Sequence, residues 1–309
     1  MRKELLVAIF AGSLLGIAVA FGVWKTNTAL KPKPETKPEE ENQEQPDGTF
    51  DIVIAKPNDH SVASLSPVSV SGVTKKGNFV VISTAETDYF TQTDESGGFE
   101  EEVKLISGIN DLFFSSFDQE GKSAQKKLTV VLSSAFATDE TQDKIEQTKN
   151  QSMAYIGTVT DISEDTIQIK NGQDEILQIA TNKDTVFVNS TKTAKEVLFK
   201  DIAIGDFIIA MGLKNGNKVL EAKRLVITTA PEETKTKAIW AKVTKIDKST
   251  FAAGDLEIET DKNTLFSTFD AEGKFTKSTL AKIEAGQTLL LVGTEENKTF
   301  SARSIHILP

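Results

Sequence analysis

The chain has 309 residues, enough for two or three domains, and a net charge of −10 at pH 7. A chain this acidic disfavours general binding to nucleic acid or anionic membranes, because phosphate groups would be repelled. The sequence contains no cysteine, which excludes disulfide bonds, thiol nucleophiles and thiolate metal sites.

The first element is an uncharged, apolar run from Leu5 to Trp24, preceded by the mostly positive head of residues 1–4. A helix of that length spans about 30 Å, the thickness of a bilayer core. We therefore predict a single-pass transmembrane signal anchor, with the N-terminus in the cytoplasm and residues 25–309 outside the membrane. The alternative is a signal peptide cleaved after Ala20, which would give a secreted form.

Small residues recur every four positions along this predicted helix, at Ala8, Gly12, Gly16 and Ala20. A face of small residues lets two membrane helices approach closely, and Gly12 and Gly16 form a Gly-x-x-x-Gly motif. The spacing makes this face a candidate for homodimerisation. The alternative is that glycine and alanine are simply common in membrane helices.

Residues 25–49 are rich in proline, glutamate and lysine and contain almost nothing apolar. Such a composition predicts a disordered linker that tethers the next domain to the membrane. Short alternating apolar runs bounded by turn residues then follow up to residue 134. About seven such runs, in a segment the size of an immunoglobulin domain, predict a β-sandwich over residues 50–134.

Several short motifs follow one another in this segment: Pro57-Asn58-Asp59, Val68–Gly72, Asp94–Phe99, Leu105–Asn110 and Asp118–Gly121. In this order they resemble the bacterial immunoglobulin-like modules related to the glucodextranase B domain. The resemblance implies an immunoglobulin-like fold that serves as a spacer or a binding unit. The acidic residues Asp94, Glu95, Asp118 and Glu120 would bind calcium only if they converged, and the alternative is that they are ordinary turn residues.

The remainder of the chain repeats itself at an offset of roughly 80 residues, which indicates an internal duplication. For example, Val159–Ile162 corresponds to Val243–Ile246, and Gly205 corresponds to Gly286. We therefore predict four further segments: a linker over 135–153, a β-domain over 154–229, a linker over 230–237 and a second β-domain over 238–309.

Each copy combines alternating runs with one continuous apolar run, which predicts about six strands in a small antiparallel barrel, with an OB-like fold as one form of it. Short helical stretches are predicted at 194–199 and 279–283. The Ile-x-x-Gly-Asp motif at 202–206, with the strand that follows it, resembles a family of small exported bacterial β-domains of unknown function, and the resemblance covers both copies. The second copy departs from that motif, since Gln287 replaces Asp206.

No motif in the sequence indicates catalysis or a cofactor. Neither His60 nor His306 has a partner at metal-ligand spacing, and the chain has no P-loop, Gly-x-Gly-x-x-Gly or Gly-x-Ser-x-Gly. We therefore predict a non-enzymatic protein with no cofactor, no metal site and no nucleic-acid partner. An acid–base pair among the many carboxylates stays open as an alternative.

Tyr155 and Trp240 lie near the first strands of the two copies and are our candidate ligand contacts, because glycan sites use exposed aromatic rings. The alternative is that each ring packs against its own core. The architecture favours a membrane-anchored cell-envelope protein that displays β-domains for adhesion, envelope organisation or ligand binding, with an envelope protein or glycan as partner. The alternative function is an accessory or catalytic subunit that acts on envelope polysaccharide.

Overall fold

The computed structural model describes residues 51–136 and 152–308, except 216, 247–249, 271, 272 and 274. The predicted signal anchor, its small-residue face and the 25–49 linker lie outside the described residues, as does most of the 135–153 linker. In the described part of the chain, no helix is long and apolar enough to cross a bilayer. The fold of that part is mostly β, with single-turn 3-10 helices between some strands.

The first unit is a sandwich of two sheets. One sheet has the strand order β1-β3-β6 and the other the order β2-β8-β7-β4-β5. The strands are β1 Val53–Lys56, β2 Ser61–Ala63, β3 Val68–Val73, β4 Phe79–Ser83, β5 Asp88–Gln92, β6 Gly98–Val103, β7 Gly108–Phe117 and β8 Ser123–Leu132. The β-sandwich architecture is thus present, with one more strand than the sequence predicts.

Strand β4 is buried along its whole length, which shows that the sheet is covered on both faces at this strand. Val80 and Ile82 point into the core between the two sheets, together with Leu112 and Phe114. Phe79 and Val81 point to the opposite face, because successive side chains of a strand alternate. A strand buried on both faces needs a continuous apolar run, and residues 79–82 provide it.

The second unit is a barrel-like sheet, whose pairings form the ring β9-β10-β11-β15-β14-β9. The strands are β9 Met153–Ser163, β10 Thr166–Lys170, β11 Ile176–Ala180, β12 Val186–Asn189, β13 Lys195–Val197, β14 Phe207–Lys214 and β15 Leu220–Thr228. Strands β11 and β12 both run parallel to β15. The ring encloses its own apolar core, which includes Ile167, Ile179 and Leu225.

The third unit has the same order of pairings, β16-β17-β18-β22-β21-β16. Its strands are β16 Lys237–Ile246, β17 Thr250–Ala253, β18 Leu256–Glu259, β19 Leu265–Phe269, β20 Phe275–Lys277, β21 Thr288–Glu296 and β22 Thr299–Ile307. Strands β18 and β19 run parallel to β22. Both barrels are therefore mixed sheets, and the prediction of purely antiparallel barrels is wrong.

Of the two stretches predicted as helical, the prediction is wrong for 194–199, whereas 279–283 contains a single 3-10 turn. Within 194–199 the chain forms strand β13, and the single 3-10 turn Phe199–Asp201 follows it. Within 279–283 it forms the 3-10 turn Leu280–Lys282. Apolar residues three or four apart fit a single turn as well as a helix, so the spacing did not distinguish the two.

The two barrels align residue by residue through their hydrogen bonds. The Val159 N–H donates to Asp206 O and the Val243 N–H to Gln287 O, each at 2.8 Å. The strand pairings continue this alignment, since Ile209 pairs with Ile156 as Leu290 pairs with Trp240. The corresponding pairs on the outer faces are Ala154 and Ala238, Ile156 and Trp240, Ile209 and Leu290, Met211 and Val292, and Val226 and His306.

Both barrels pack onto the outer face of the β2-β8-β7-β4-β5 sheet. Each barrel does so with the corresponding residues of its own outer face. The first barrel contacts the β2-β8 end, where Ile209 and Met211 meet Val131. The second barrel contacts the β4-β5 end, where Leu290 and Val292 meet Val81. As a result, Gly48–Pro309 forms one compact unit in which the sandwich lies between the barrels.

An ion pair fixes the second barrel to the sandwich. The Arg303 guanidinium donates to both carboxylate oxygens of Asp88, at 3.0 and 2.5 Å, and also to the carbonyl oxygens of Thr84 and Ala85. Ser304 Oγ donates to the same carboxylate at 2.6 Å. The Asp88 side chain is only 1% exposed, so these partners replace the water that would otherwise solvate its carboxylate.

We predict that Arg303→Ala lowers the free energy of unfolding of the 48–309 fragment by about 3 kcal/mol, because it leaves the buried Asp88 carboxylate without its cation. Urea denaturation checks this value. The control is Lys223→Ala, since Lys223 is the exposed residue that corresponds to Arg303 in the first barrel, and it should change stability by less than about 0.5 kcal/mol. Equal effects of the two substitutions would contradict the role of the ion pair.

Candidate functional site

Tyr155 lies inside the first barrel rather than on its surface. It is 6% exposed, packs in the barrel core, and donates its hydroxyl to Lys218 O at 2.7 Å. Burial raises the pKa of this phenol above its ordinary value. With its ring enclosed and its hydroxyl bonded, Tyr155 offers no exposed aromatic face for a ligand.

Trp240 lies at the interface between the second barrel and the sandwich. Its ring is 6.0 Å from that of Phe79 and 6.3 Å from that of Phe117, measured between centroids. Gly121 faces the indole so closely that a Cβ there would stand 2.6 Å from Trp240 Cδ1. The Asp118–Gly121 motif therefore has a second role, because its glycine leaves room for the indole.

Tyr155 and Trp240 do not occupy equivalent positions. Tyr155 pairs with Ala210, whereas Trp240 pairs with Leu290, which corresponds to Ile209. The two aromatic residues are thus one position out of register, and one position in a strand moves a side chain to the other face. Tyr155 and Trp240 therefore form no common aromatic surface for a ligand. Their role as ligand contacts stays a prediction, and their positions do not support it.

His306 is enclosed by aromatic rings at the same interface. Its ring stacks on Phe90 at 4.9 Å and on Phe275 at 5.9 Å, and Phe269 meets it edge-on at 4.3 Å. Nδ1 is 2.8 Å from Ser267 Oγ, and Nε2 has no hydrogen-bond partner among the described residues. Burial lowers the pKa of His306 from its ordinary value of 6.5 to about 4, so the ring is neutral at pH 7.

His60 lies at the other interface, between the sandwich and the first barrel. Its carbonyl oxygen accepts from the Ala154 N–H at 2.7 Å, and its Nδ1 is 3.0 Å from Asp59 Oδ2. Ser61 pairs with Met153, which extends the sandwich sheet into the barrel. Both histidines therefore lie at junctions between units, which their positions in the sequence did not indicate.

Of the acidic residues considered for calcium, Asp94 and Asp118 cap their own turns, whereas Glu95 and Glu120 pair with Lys76 and Lys122. Asp94 Oδ1 accepts hydrogen bonds from Ser96 and from the Gly98 N–H, and Asp118 Oδ1 accepts from the Lys122 N–H. These bonds, with the Ser96 hydroxyl foremost, hold the pKa of Asp94 below its ordinary value. Across the described residues, no three His, Asp or Glu side chains converge well enough to hold a metal ion.

Three of the clefts on the described surface bear on ligand binding. One of about 460 Å³ lies between the sandwich and the first barrel, with Ile109, Ile209 and Met211 in its floor and Arg224 at its wall. A smaller one, of about 250 Å³, lies at the end of the sandwich beside Glu86 and Lys104. The largest of these three, about 780 Å³, opens on the second barrel and is lined mainly by hydroxyl, amide and lysine side chains.

Comparison with known proteins gives one family match, over a segment of the chain. Residues 156–225 match the family described as Domain of unknown function (DUF5666). This match falls on the first barrel, the part of the chain in which the sequence resembles a β-domain family of unknown function. The immunoglobulin-like module and the second copy of the family stay predictions.

No curated protein is significantly similar to the chain. Among solved structures, the chain is similar to a Ca²⁺-stabilized adhesin with which an Antarctic bacterium reaches out and binds ice. The two are 13% identical, the match covers 84% of this chain and 74% of the adhesin chain, and the TM-score is 0.21. A TM-score that low does not establish a common overall fold.

We predict that the stability of the 48–309 fragment falls in acid because His306 must be protonated. In the unfolded state His306 binds a proton near pH 6.5, and in the folded state only near pH 4. The contribution of neutral His306 to the free energy of unfolding is therefore fully present above pH 6.5 and is lost as the pH falls towards 4. Between pH 7 and 4.5 this group should account for about 2 kcal/mol.

The matched variant is His306→Val, which places in the second barrel the residue that the first barrel has at this position, Val226. Urea denaturation at the two pH values should give a smaller acid loss for the variant than for the wild type, because all carboxylates are common to both. Parallel pH profiles would show that His306 does not couple protonation to folding.

Proposed function

We propose that the protein is a non-enzymatic, membrane-anchored component of the cell envelope. In this proposal, the 5–24 segment anchors the chain, residues 25–49 form the tether, and the described β-units form a head outside the membrane that binds an envelope protein or glycan. The head serves adhesion or envelope organisation.

The observation that carries the proposal is the joining of the three units into one body. Both barrels bury apolar side chains on a single sheet face of the sandwich, and the Arg303–Asp88 ion pair fixes the second barrel there. A string of independent spacer domains has no need for such interfaces. A head that must present binding surfaces in a fixed relation to one another does need them.

The shared order of strand pairings supports the further proposal that the second barrel is a copy of the first. The corresponding backbone hydrogen bonds of Val159 and Val243, and the parallel pairing of β11 with β15 and β18 with β22, are difficult to explain by chance. We propose likewise that the sandwich is an immunoglobulin-like module and that the barrels are OB-like in their ring of five strands.

The rival function, catalysis on envelope polysaccharide, needs two carboxyl groups on either side of the scissile bond. The residues that line the three described clefts include no such pair: Glu86 is the single carboxylate among them. The described clefts thus favour binding over hydrolysis.

We expect the 48–309 fragment to co-sediment saturably with isolated bacterial envelopes. Binding that survives protease treatment of the envelopes would identify a glycan as the partner, and binding lost with the treatment would identify a protein. The Arg303→Ala variant provides an internal control, because loosening the second barrel should weaken the binding while the fragment stays folded. If the fragment binds neither untreated nor protease-treated envelopes, the proposal is overturned.

A further inference from the structure

The 780 Å³ cleft of the second barrel carries positive charge, although the chain as a whole is acidic. It opens beside the 3-10 turn Leu280–Lys282, and its only charged side chains among the described lining residues are Lys277 and Lys282. Both lysines are exposed, and neither has an ion-pair partner within the described part of the chain. The neutral polar side chains that line the cleft are Thr268, Ser278, Thr279, Gln287 and Thr288.

The first barrel has a corresponding loop, which can be compared with the loop that lines the cleft in the second barrel. Gln287 Oε1 accepts from the Glu284 N–H at 2.7 Å, as Asp206 Oδ2 accepts from the Ala203 N–H at 2.9 Å. These two bonds close the same turn in each barrel. The loops before them therefore align without a gap from the short strands β13 and β20 onwards.

Along this alignment the acidic positions of the first barrel become basic or neutral in the second. The corresponding pairs are Glu196 and Lys277, Asp201 and Lys282, and Asp206 and Gln287. Over the whole loop, the formal charge changes from −1 in residues 195–206 to +1 in residues 276–287. The change is greatest at the positions that line the cleft.

The same positions also change in size and polarity. Where the second barrel has Ser278, Thr279 and Ala285, the first barrel has Val197, Leu198 and Ile204. Leu198 and Ile204 are 60% and 67% exposed, so the first barrel presents an apolar tip at this place. In the second barrel, smaller hydroxyl-bearing residues leave an open and hydrophilic cleft.

We infer that this cleft of the second barrel binds an anionic, hydroxyl-rich polymer whose acidic groups contact Lys277 and Lys282. The ammonium groups supply the charge, and the hydroxyls together with the Gln287 amide supply hydrogen bonds of the kind that sugars or polyols accept and donate. The acidic groups are carboxylates, as in a uronic-acid polysaccharide, or phosphodiesters, as in a polyol-phosphate polymer. This inference rests on the proposed function, because it names the ligand of the envelope-binding head.

The test measures binding of the 48–309 fragment to a polyuronate, to a poly(glycerol phosphate) and to a neutral glucan, at low and at physiological salt. We expect one of the two anionic polymers to bind, the neutral glucan not to bind, and added salt to weaken the binding. The variant Lys277→Glu/Lys282→Asp restores the first-barrel residues, and it should weaken binding at least tenfold. The polymer that binds identifies carboxylate or phosphodiester as the recognised group.

The matched control is Lys183→Glu/Lys192→Asp, which makes the same change in net charge at two exposed lysines of the first barrel. It should retain wild-type binding. Equal losses in the two double variants would overturn the inference, since they would reflect net charge alone, and so would the failure of both anionic polymers to bind. If the Lys277/Lys282 variant still co-sediments with envelopes like the wild type, this inference fails while the proposed function stands.

Discussion

The described structure depends on one constraint, the burial of apolar residues on the outer face of the β2-β8-β7-β4-β5 sheet at its two ends. An ordinary sandwich covers one face of each sheet with the other sheet and leaves the second face to water. Here Phe79 and Val81 make the outer face apolar at strand β4 as well, and an apolar surface of that kind must be covered. The two barrels cover it, and the arrangement of the three units follows from this requirement.

The two barrels cover the sheet with corresponding faces, but the side chains on these faces differ in type. The first barrel uses aliphatic side chains such as Ile209, Met211 and Val226. The second adds Trp240, His306 and the Arg303–Asp88 ion pair at corresponding or adjacent positions. Barrels with the same order of strand pairings therefore contact two different ends of one sheet, one through aliphatic side chains and the other through aromatic rings and an ion pair.

Much of the architecture could be predicted from local pattern. Alternating apolar residues gave the sandwich and the β-rich character of both later units, because the period of a strand is set by its own pleat. The interfaces could not be predicted in this way. His306 and Trp240 each look like an isolated residue in the sequence, and their partners Phe90 and Phe117 lie more than a hundred residues away.

The candidate aromatic site shows how sensitive such predictions are to register. Tyr155 and Trp240 lie at nearly the same distance from the start of their repeats, yet one residue of offset puts the first inside its barrel and the second on the outer face. The basic cleft was equally hidden, although the replacement of Asp206 by Gln287 was a visible sign. The charge change there becomes evident only when strand pairing aligns the two loops.

The order of the units in space differs from their order in the chain, because the unit that comes first in the sequence lies in the middle. A pulling force applied at residue 51 therefore acts first on the sandwich, the middle unit. A load on the second barrel returns to that point by two parallel routes, the covalent path through the first barrel and the direct path across the Phe79–Trp240 and Asp88–Arg303 contacts. The second barrel therefore cannot be pulled away from the sandwich unless these non-covalent contacts break.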